Sequence, residues 1–390
     1  MKEPKRVYLI DFDNTLFDTD ALKRSISENF KKKFGDRNLS LFWKTYAESV
    51  KALKYVDIKE ISKDLYKNLG KGSPEDFEDL FLKADFKKFV FKHSNKLIKT
   101  LKGSHKVILY SLGDAHYQPT KIKESGIEKL IGKSNIVVLK NKKIALGGMI
   151  LRLKASGYNQ IIIVDDRADF LEKAKRVEPD CITVWFKFGK YRNILPKDRL
   201  SIVYETDIAE GLIHYLKNLV GILPQRSIKE NISVLRKISK PQIEQLIHST
   251  GKDKLIKKFT HDKERFNSFK TFASWEKRGK NIYAMVGRKD KLLGIIWFSA
   301  KAMPQEISKF IKTAGGNRTF AIRNYPPARH KGLSSKFMHI VFRDFGIGRK
   351  KGIWLSTAKD NIPANKLYTN YGFRKIADMK EDRTVYIFRG

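Results

Sequence analysis

The stretch Val7-Tyr8-Leu9-Ile10-Asp11-Phe12-Asp13-Asn14-Thr15-Leu16 decides the fold of the first half of this 390-residue chain. Four consecutive apolar residues read as a short strand buried on both faces, the kind found in parallel sheets covered by helices. The run stops at two carboxylates spaced i, i+2. In extended chain, Asp11 and Asp13 point to the same side. Open α/β sheets keep their ligand crevice at the carboxyl ends of the strands. Two carboxylates there are costly unless they hold a cation or move protons.

Working outward, four further apolar runs read as strands: Lys106–Ser111, Ile136–Leu139, Ile161–Val164 and Cys181–Phe186. Helical patterns alternate with them, which predicts an α/β domain with a parallel, Rossmann-like sheet. The second strand ends in a hydroxyl, Ser111. The third runs into Lys140, Lys142 and Lys143 ahead of a helix over Ile144–Lys154. The fourth ends in Asp165 and Asp166, with Asp169 shortly after. Between the first two strands lies a polar, helix-rich insert over about residues 17–102. There Ser73-Pro74-Glu75 reads as an N-cap followed by proline at the first helical position. Phe77, Phe81, Phe86, Phe89 and Phe91 read as its core.

The ordered set Asp11-Phe12-Asp13-Asn14-Thr15, Ser111, a lysine at 140–143 and Asp165-Asp166 resembles the haloacid dehalogenase (HAD) superfamily of phosphohydrolases over roughly residues 5–215. The resemblance implies Asp11 as the nucleophile on phosphorus. It implies Asp13 as the acid and base for the leaving oxygen and the water. Mg²⁺ would be held by Asp11, the Asp13 backbone carbonyl and Asp166, with Asp165 in support. Ser111 and a lysine, Lys143 or Lys142, would hold the phosphoryl oxygens of a small-molecule phosphate ester. The insert would be a helical cap that closes over the site.

Composition bounds the rest. The chain is 41% hydrophobic, enough for ordinary cores, and its length predicts two domains. A single cysteine, Cys181, rules out an internal disulfide and fits a cytoplasmic, reducing compartment. The longest mostly apolar segment, Gly211–Leu223, is too short and too interrupted to span a membrane. The formal net charge is +38, divided as +14 over residues 1–220 and +24 over 221–390. Such a balance suits a polyanionic partner, either nucleic acid or a phosphate-rich cofactor. No nucleic-acid-binding motif accompanies it.

Loop punctuation at Gly221, Pro224, Gln225 and Ser227 places a domain boundary near residue 222, giving domains 1–221 and 222–390. Beyond it the expected order is a strand at Ile232–Ile238, a helix at Pro241–Ser249 and a helical stretch over Asp253–Phe272. A hairpin of Asn281–Gly287 and Leu292–Ala300 follows, then a strand at Thr319–Tyr325. The chain passes through Arg329-His330-Lys331-Gly332-Leu333-Ser334 into a helix at Ser335–Phe345. A strand at Gly352–Thr357, a helix at Ile362–Asn370 and strands at Phe373–Met379 and Thr384–Phe388 close it. A basic, glycine-containing turn feeding a helix presents backbone N–H groups to phosphate.

That turn, with Asn361-x-x-Ala364-x-x-Leu367-Tyr368-x-x-x-Gly372-Phe373, resembles the GNAT family of N-acetyltransferases. The resemblance implies an α+β domain with a mixed, mostly antiparallel sheet. Arg329, His330, Lys331, Gly332, Leu333 and Ser334 would bind the pyrophosphate of acetyl-CoA or another acyl-CoA. Ser334 stands where the family usually has Gly or Ala, but its backbone N–H serves equally. The backbone around Ile322 and Asn324 would pair with the pantetheine arm, Asn361 would lie near the thioester, and Tyr368 would protonate the departing thiolate. The acceptor would be an amine. No general base stands out; Glu264, His261 and Glu276 are candidates. The combined expectation is a phosphatase-like domain fused to an acyltransferase. Two alternatives are an RNA- or ribosome-associated protein with one half serving as a binding module, and a glyceryl-transfer fusion for carrier proteins. The latter shares this domain order, but Phe17-Asp18-Thr19-Asp20 replaces that family's Trp-Gly-Gly type continuation.

Overall fold

The computed structural model describes residues 5–140, 142–198, 201–223, 231–303, 317–347, 352–379 and 382–388; the side chains of 142–144 are outside this description. The chain forms two compact units, Met1–Ile213 and His214–Gly390.

In the first unit, β1 (Arg6–Asp11), β2 (Lys106–Leu112), β3 (Ile136–Leu139), β4 (Gln160–Asp165), β5 (Ile182–Phe186) and β6 (Tyr204–Thr206) form one parallel sheet. The strand order is β3-β2-β1-β4-β5-β6. Val7 to Ile10 are fully buried, as a central strand covered on both faces requires. The chain leaves β1 toward β2 on one side and reaches β4 on the other, so the end of β1 is the topological switch point. Register does the rest. Asp11 lies opposite Tyr110, and Ile10 opposite Val164, so Asp11 stands beside Asp165. Sequence periodicity did not mark β6, a three-residue edge strand too short to show one.

The insert after β1 contains α1 (Thr19–Phe34), α2 (Leu39–Leu53), α3 (Ile58–Leu69) and α4 (Pro74–Leu82). Ser73 and Asp76 form a reciprocal capping box at α4. Phe30, Phe42, Phe77 and Phe81 are buried, and their rings contact one another and Phe34. The insert is pinned at its root: Asp18 N–H donates to Phe89 O (2.7 Å) and Phe91 N–H to Leu16 O (3.1 Å). The helical insert therefore closes near Phe89, short of residue 102. The next helix, α5 (Lys92–Lys102), packs on β2 instead. Later helices are α6 (Tyr117–Glu124), α7 (Ile127–Ile131), α8 (Lys142–Ala155), α9 (Ala168–Val177) and α10 (Ala209–Asn218).

The second unit is built on β7 (Leu219–Leu223), β8 (Ile232–Arg236), β9 (Asn281–Val286), β10 (Leu292–Ala300), β11 (Arg318–Asn324), β12 (Ile353–Ala358), β13 (Arg374–Met379) and β14 (Arg383–Phe388). Their order is β13-β14-β12-β11-β10-β9-β8-β7, antiparallel throughout except for β11 with β12. The stretch read as linker contributes β7. Leu219, Gly221 and Leu223 alternate inward against β8, and that two-residue period outweighs the loop signal of Gly221.

The helices of this unit include α11 (Lys240–Lys252), α12 (Lys254–Phe259), α13 (Asp262–Arg265) and α14 (Phe269–Glu276), followed by α15 (Leu333–Phe345) and α16 (Ile362–Tyr371). The helical stretch expected over 253–272 is broken into short pieces. Phe266 is drawn fully into the core between Phe272, Trp275 and Trp297, and the chain turns to deliver it. No helix among the described residues is long and apolar enough to cross a membrane.

Candidate functional site

In the first unit, Asp11, Asp165 and Asp166 are buried and can bring one carboxylate oxygen each to within 4.8 Å of one another. Asp165 is fixed by its neighbours: Tyr110 OH donates to Oδ2 (2.6 Å) and Arg167 N–H to Oδ1 (2.8 Å). Burial, then the nearby charges of Asp165 and Asp11, push the Tyr110 phenol well above its ordinary range, so it remains a donor. Trp185 Nε1–H donates to the Asp166 carbonyl (2.8 Å) and holds that turn. Three clustered, hard oxygen donors fit a hard divalent cation such as Mg²⁺ better than a softer metal.

Asp13 directs its side chain differently from these three. Its carboxylate is outside the three-acid cluster. It accepts from Lys121 Nζ (2.6 Å), Thr19 Oγ1 (2.5 Å) and Gln118 Nε2 (2.7 Å). The backbone carbonyl is what Asp13 has left to offer a cation. Burial would raise its pKa, but the Lys121 charge and these hydrogen bonds outweigh that and hold the carboxyl below its usual range. Ser111 is fully buried; its Oγ accepts from Gln118 (2.6 Å) and makes a long 3.5 Å contact with Asp13. Asp11 and Asp13 at the end of β1 and Ser111 at the end of β2 therefore meet at the carboxyl edge of the sheet. Lys142 and Lys143 begin α8 at the end of β3, but their side chains are outside the description.

Sequence reading missed Lys121, Gln118 and Thr19. Asp114 Oδ1 accepts from His116 and Tyr117 N–H (2.5 Å each) and starts α6, which aims Gln118 and Lys121, three residues apart, at Asp13. A signal was available: Tyr117, Gln118, Lys121 and Ile122 share one helical face, and two polar residues on an apolar face need partners.

In the second unit, β11 and β12 pair only at Thr319 with Trp354 and then part. A cavity of about 620 Å³ opens beside the gap, lined by Ile322, Asn324, Arg329, His330, Ser334, Asn361 and Tyr368 among others. Those seven expected residues are thus brought together. Lys331 and Gly332 are exposed and Leu333 is core, all off the lining. Gly332 has φ +65°, a left-handed conformation that glycine adopts without strain, and it turns the chain into α15. Arg329 donates to Asp253 (2.5 Å) and to the Asn324 carbonyl (2.9 Å). Asn324 donates to Ser334 Oγ, tying β11 to the first turn of α15. Asn361 caps α16.

Tyr368 is 6% exposed. Burial pushes its phenol up to about 12 despite the opposing charges of Arg323 and Arg383, so it carries its proton at neutral pH. The three candidate bases do not reach the cavity. His261 and Glu264 face solvent and one another (3.8 Å), and Glu276 is exposed. The two buried acids nearby are committed: Asp262 accepts from Arg323 and Arg265, and Asp253 from Arg329.

No family model matches the chain, and no curated protein matches it. Among solved structures, a protein described as a haloacid dehalogenase-like hydrolase from Burkholderia xenovorans LB400 is similar at 19% identity. That match covers 54% of this chain and 95% of its own, with a TM-score of 0.46. The HAD-hydrolase YfnB from Bacillus subtilis, solved bound to magnesium, is 14% identical, covering 55% and 99% with a TM-score of 0.40. A spermidine N-acetyltransferase from Vibrio cholerae is 14% identical, covering 40% and 92% with a TM-score of 0.30. The chain's own topology pairs a Rossmann-like parallel α/β unit with a unit built on a mixed, mostly antiparallel sheet.

Proposed function

We propose that the protein is a two-domain enzyme that hydrolyses a phosphate monoester in its first unit and transfers an acyl group from an acyl-CoA to an amine in its second. The observation that carries the first activity is the buried Asp11–Asp165–Asp166 cluster at the switch point, beside an Asp13 held by Lys121. Asp11, Asp166 and the Asp13 carbonyl would hold Mg²⁺, with Asp165 in support; bound there, the cation offsets phosphoryl charge. Asp11 attacks phosphorus, the bond to the leaving oxygen breaks, and an aspartyl-phosphate forms. Asp13 gives its proton to the leaving oxygen and later takes one from the attacking water.

In the resting site Asp13 is ionised, because Lys121 holds its pKa down. A phosphoryl group that draws Lys121 away removes that hold and lets the carboxyl take up the proton it must deliver. Ser111, Lys121 and the lysine at the start of α8, Lys143 or Lys142, serve the phosphoryl oxygens. Hydrolysis of p-nitrophenyl phosphate with Mg²⁺ tests the reading. Activity should fall by on the order of 10³-fold or more in Asp11→Asn. Equal activity in the variant would remove Asp11 as nucleophile.

In the second unit, the supporting observation is the parting of β11 and β12 beside the cavity that holds Tyr368. The freed edge of β11 suits an extended pantetheine arm, and the N–H groups at the start of α15 suit pyrophosphate. The acceptor nitrogen attacks the thioester carbon, the C–S bond breaks, and Tyr368 passes its proton to the thiolate. Among the described residues no carboxylate lines the cavity, so the acceptor proton leaves through water.

A further inference from the structure

The cavity of the second unit is lined by Arg265, Arg278, Lys280, Lys301, Arg323, Arg329 and Arg383, and among the described residues by no aspartate or glutamate. Part of this charge is neutralised from behind. Asp262 takes Arg323 and Arg265, and Asp253 takes Arg329. The remaining four have no carboxylate within 4.0 Å among the described residues. Lys280 donates to Ser299 Oγ (2.8 Å), and Arg383 to Ser356 Oγ (3.2 Å) and O (2.8 Å). Lys301 lies over the Trp354 ring at 5.7 Å.

Neutral partners hold Lys280, Lys301 and Arg383 in place without cancelling their charge. Crowding is felt at Lys280, whose pKa is lowered by burial first and then by the charges of Arg278, Arg265 and Lys301. Uncompensated cations beside the low-dielectric wall of Trp275, Trp297 and Trp354 make a field that concentrates anions and repels polycations. In the acyltransferase reading the turn at Arg329–Ser334 supplies the N–H donors for the coenzyme's pyrophosphate, which leaves this second group of cations for another anion.

We propose that the acyl acceptor is an amine that also carries an anionic group, a carboxylate or a phosphate, which Arg278, Lys280, Lys301 and Arg383 read. This rests on the acyltransferase reading above and adds the substrate class to it.

The test is calorimetric, on the full chain. Acetyl-CoA is titrated first. The CoA-saturated protein is then titrated with O-phosphoserine, with glutamate and with spermidine. O-phosphoserine or glutamate should bind at least tenfold more tightly than spermidine; the order of the two tells phosphate from carboxylate. Arg278→Ala/Lys280→Ala changes an exposed and a half-exposed residue. It should weaken the anionic amines tenfold or more and leave acetyl-CoA within twofold. Spermidine binding as tightly as the anionic amines, the absence of any anionic binding to a CoA-loaded protein, or a variant that weakens acetyl-CoA instead would each overturn the inference. Failure of acetyl-CoA itself to bind would overturn the acyltransferase reading on which it stands.

Discussion

Lys121→Met removes the one positive charge hydrogen-bonded to Asp13 among the described residues. Lys121 is 4% exposed, and its ammonium lies 2.6 Å from a carboxylate whose side chain is 29% exposed. Removing one partner of a fully buried pair costs about 3–5 kcal/mol. Here Asp13 keeps Thr19 and Gln118 and some water, so the expected loss is about 2 kcal/mol, discounted from that range. Amide hydrogen exchange reads it locally: peptides from β1 and α6 should exchange about 30-fold faster, and those from β9 and β10 should be unchanged.

The pH dependence follows from the sign of the shift. The folded pKa of Asp13 is depressed, so the pair contributes fully above the unfolded carboxyl value of about 3.9. That contribution is lost as pH falls through the folded pKa. The wild type should therefore keep its advantage over Lys121→Met at pH 7, and the gap should close as the pH falls into the carboxylate range. The acid limb of the phosphatase pH profile should move to higher pH in the variant, because burial then acts on Asp13 without the lysine. A double cycle with Asp13→Asn should give a coupling of about 2 kcal/mol. A coupling below about 0.5 kcal/mol with an unmoved acid limb would refute the electrostatic argument.

Three further outcomes are expected. Burial pushes the Cys181 thiol up to about 12, so iodoacetamide at pH 8.5 should label the denatured chain and leave the native one nearly untouched; rapid native labelling would contradict that burial. Tyr368→Phe should lower kcat for acyl transfer by about 10²-fold with acetyl-CoA affinity unchanged, and an unchanged kcat would move the proton donor elsewhere. In Gly294→Ala the new Cβ would stand 2.6 Å from the Arg323 carbonyl oxygen and 2.7 Å from Asn324 Oδ1. Because backbone cannot yield there, the second unit should lose about 1–3 kcal/mol, read as a lowered Tm of its transition; no shift would argue against the β10–β11 register.

Much of the fold was legible because its signals are local. The apolar runs of β1, β2, β4 and β5 each ended where the chain placed its polar groups, and the hairpin of β9 and β10 announced itself by two runs and a turn. Elements that failed were those whose local signal was weak or outvoted. Thus β6 is three residues long, β7 carries a glycine that reads as loop, and the helical stretch after Asp253 breaks because the core takes Phe266.

By itself the sequence determined which residue types stand at strand ends, in what order, and therefore the kind of chemistry to expect at Asp11, Asp13, Ser111 and Asp165-Asp166. Only tertiary structure decided which of them share a charge environment. Lys121 is 108 residues from Asp13 in sequence, and no periodicity or spacing relates the two; parallel β1 and β2, with the turn at Asp114, bring them within 2.6 Å. The cation-lined cavity is similar in origin. Its arginines and lysines run from Arg265 to Arg383, and their acids are spent behind the wall on only three of them. A net charge can be counted from composition, but whether a particular charge is cancelled depends on distance, and distance is set when the chain folds.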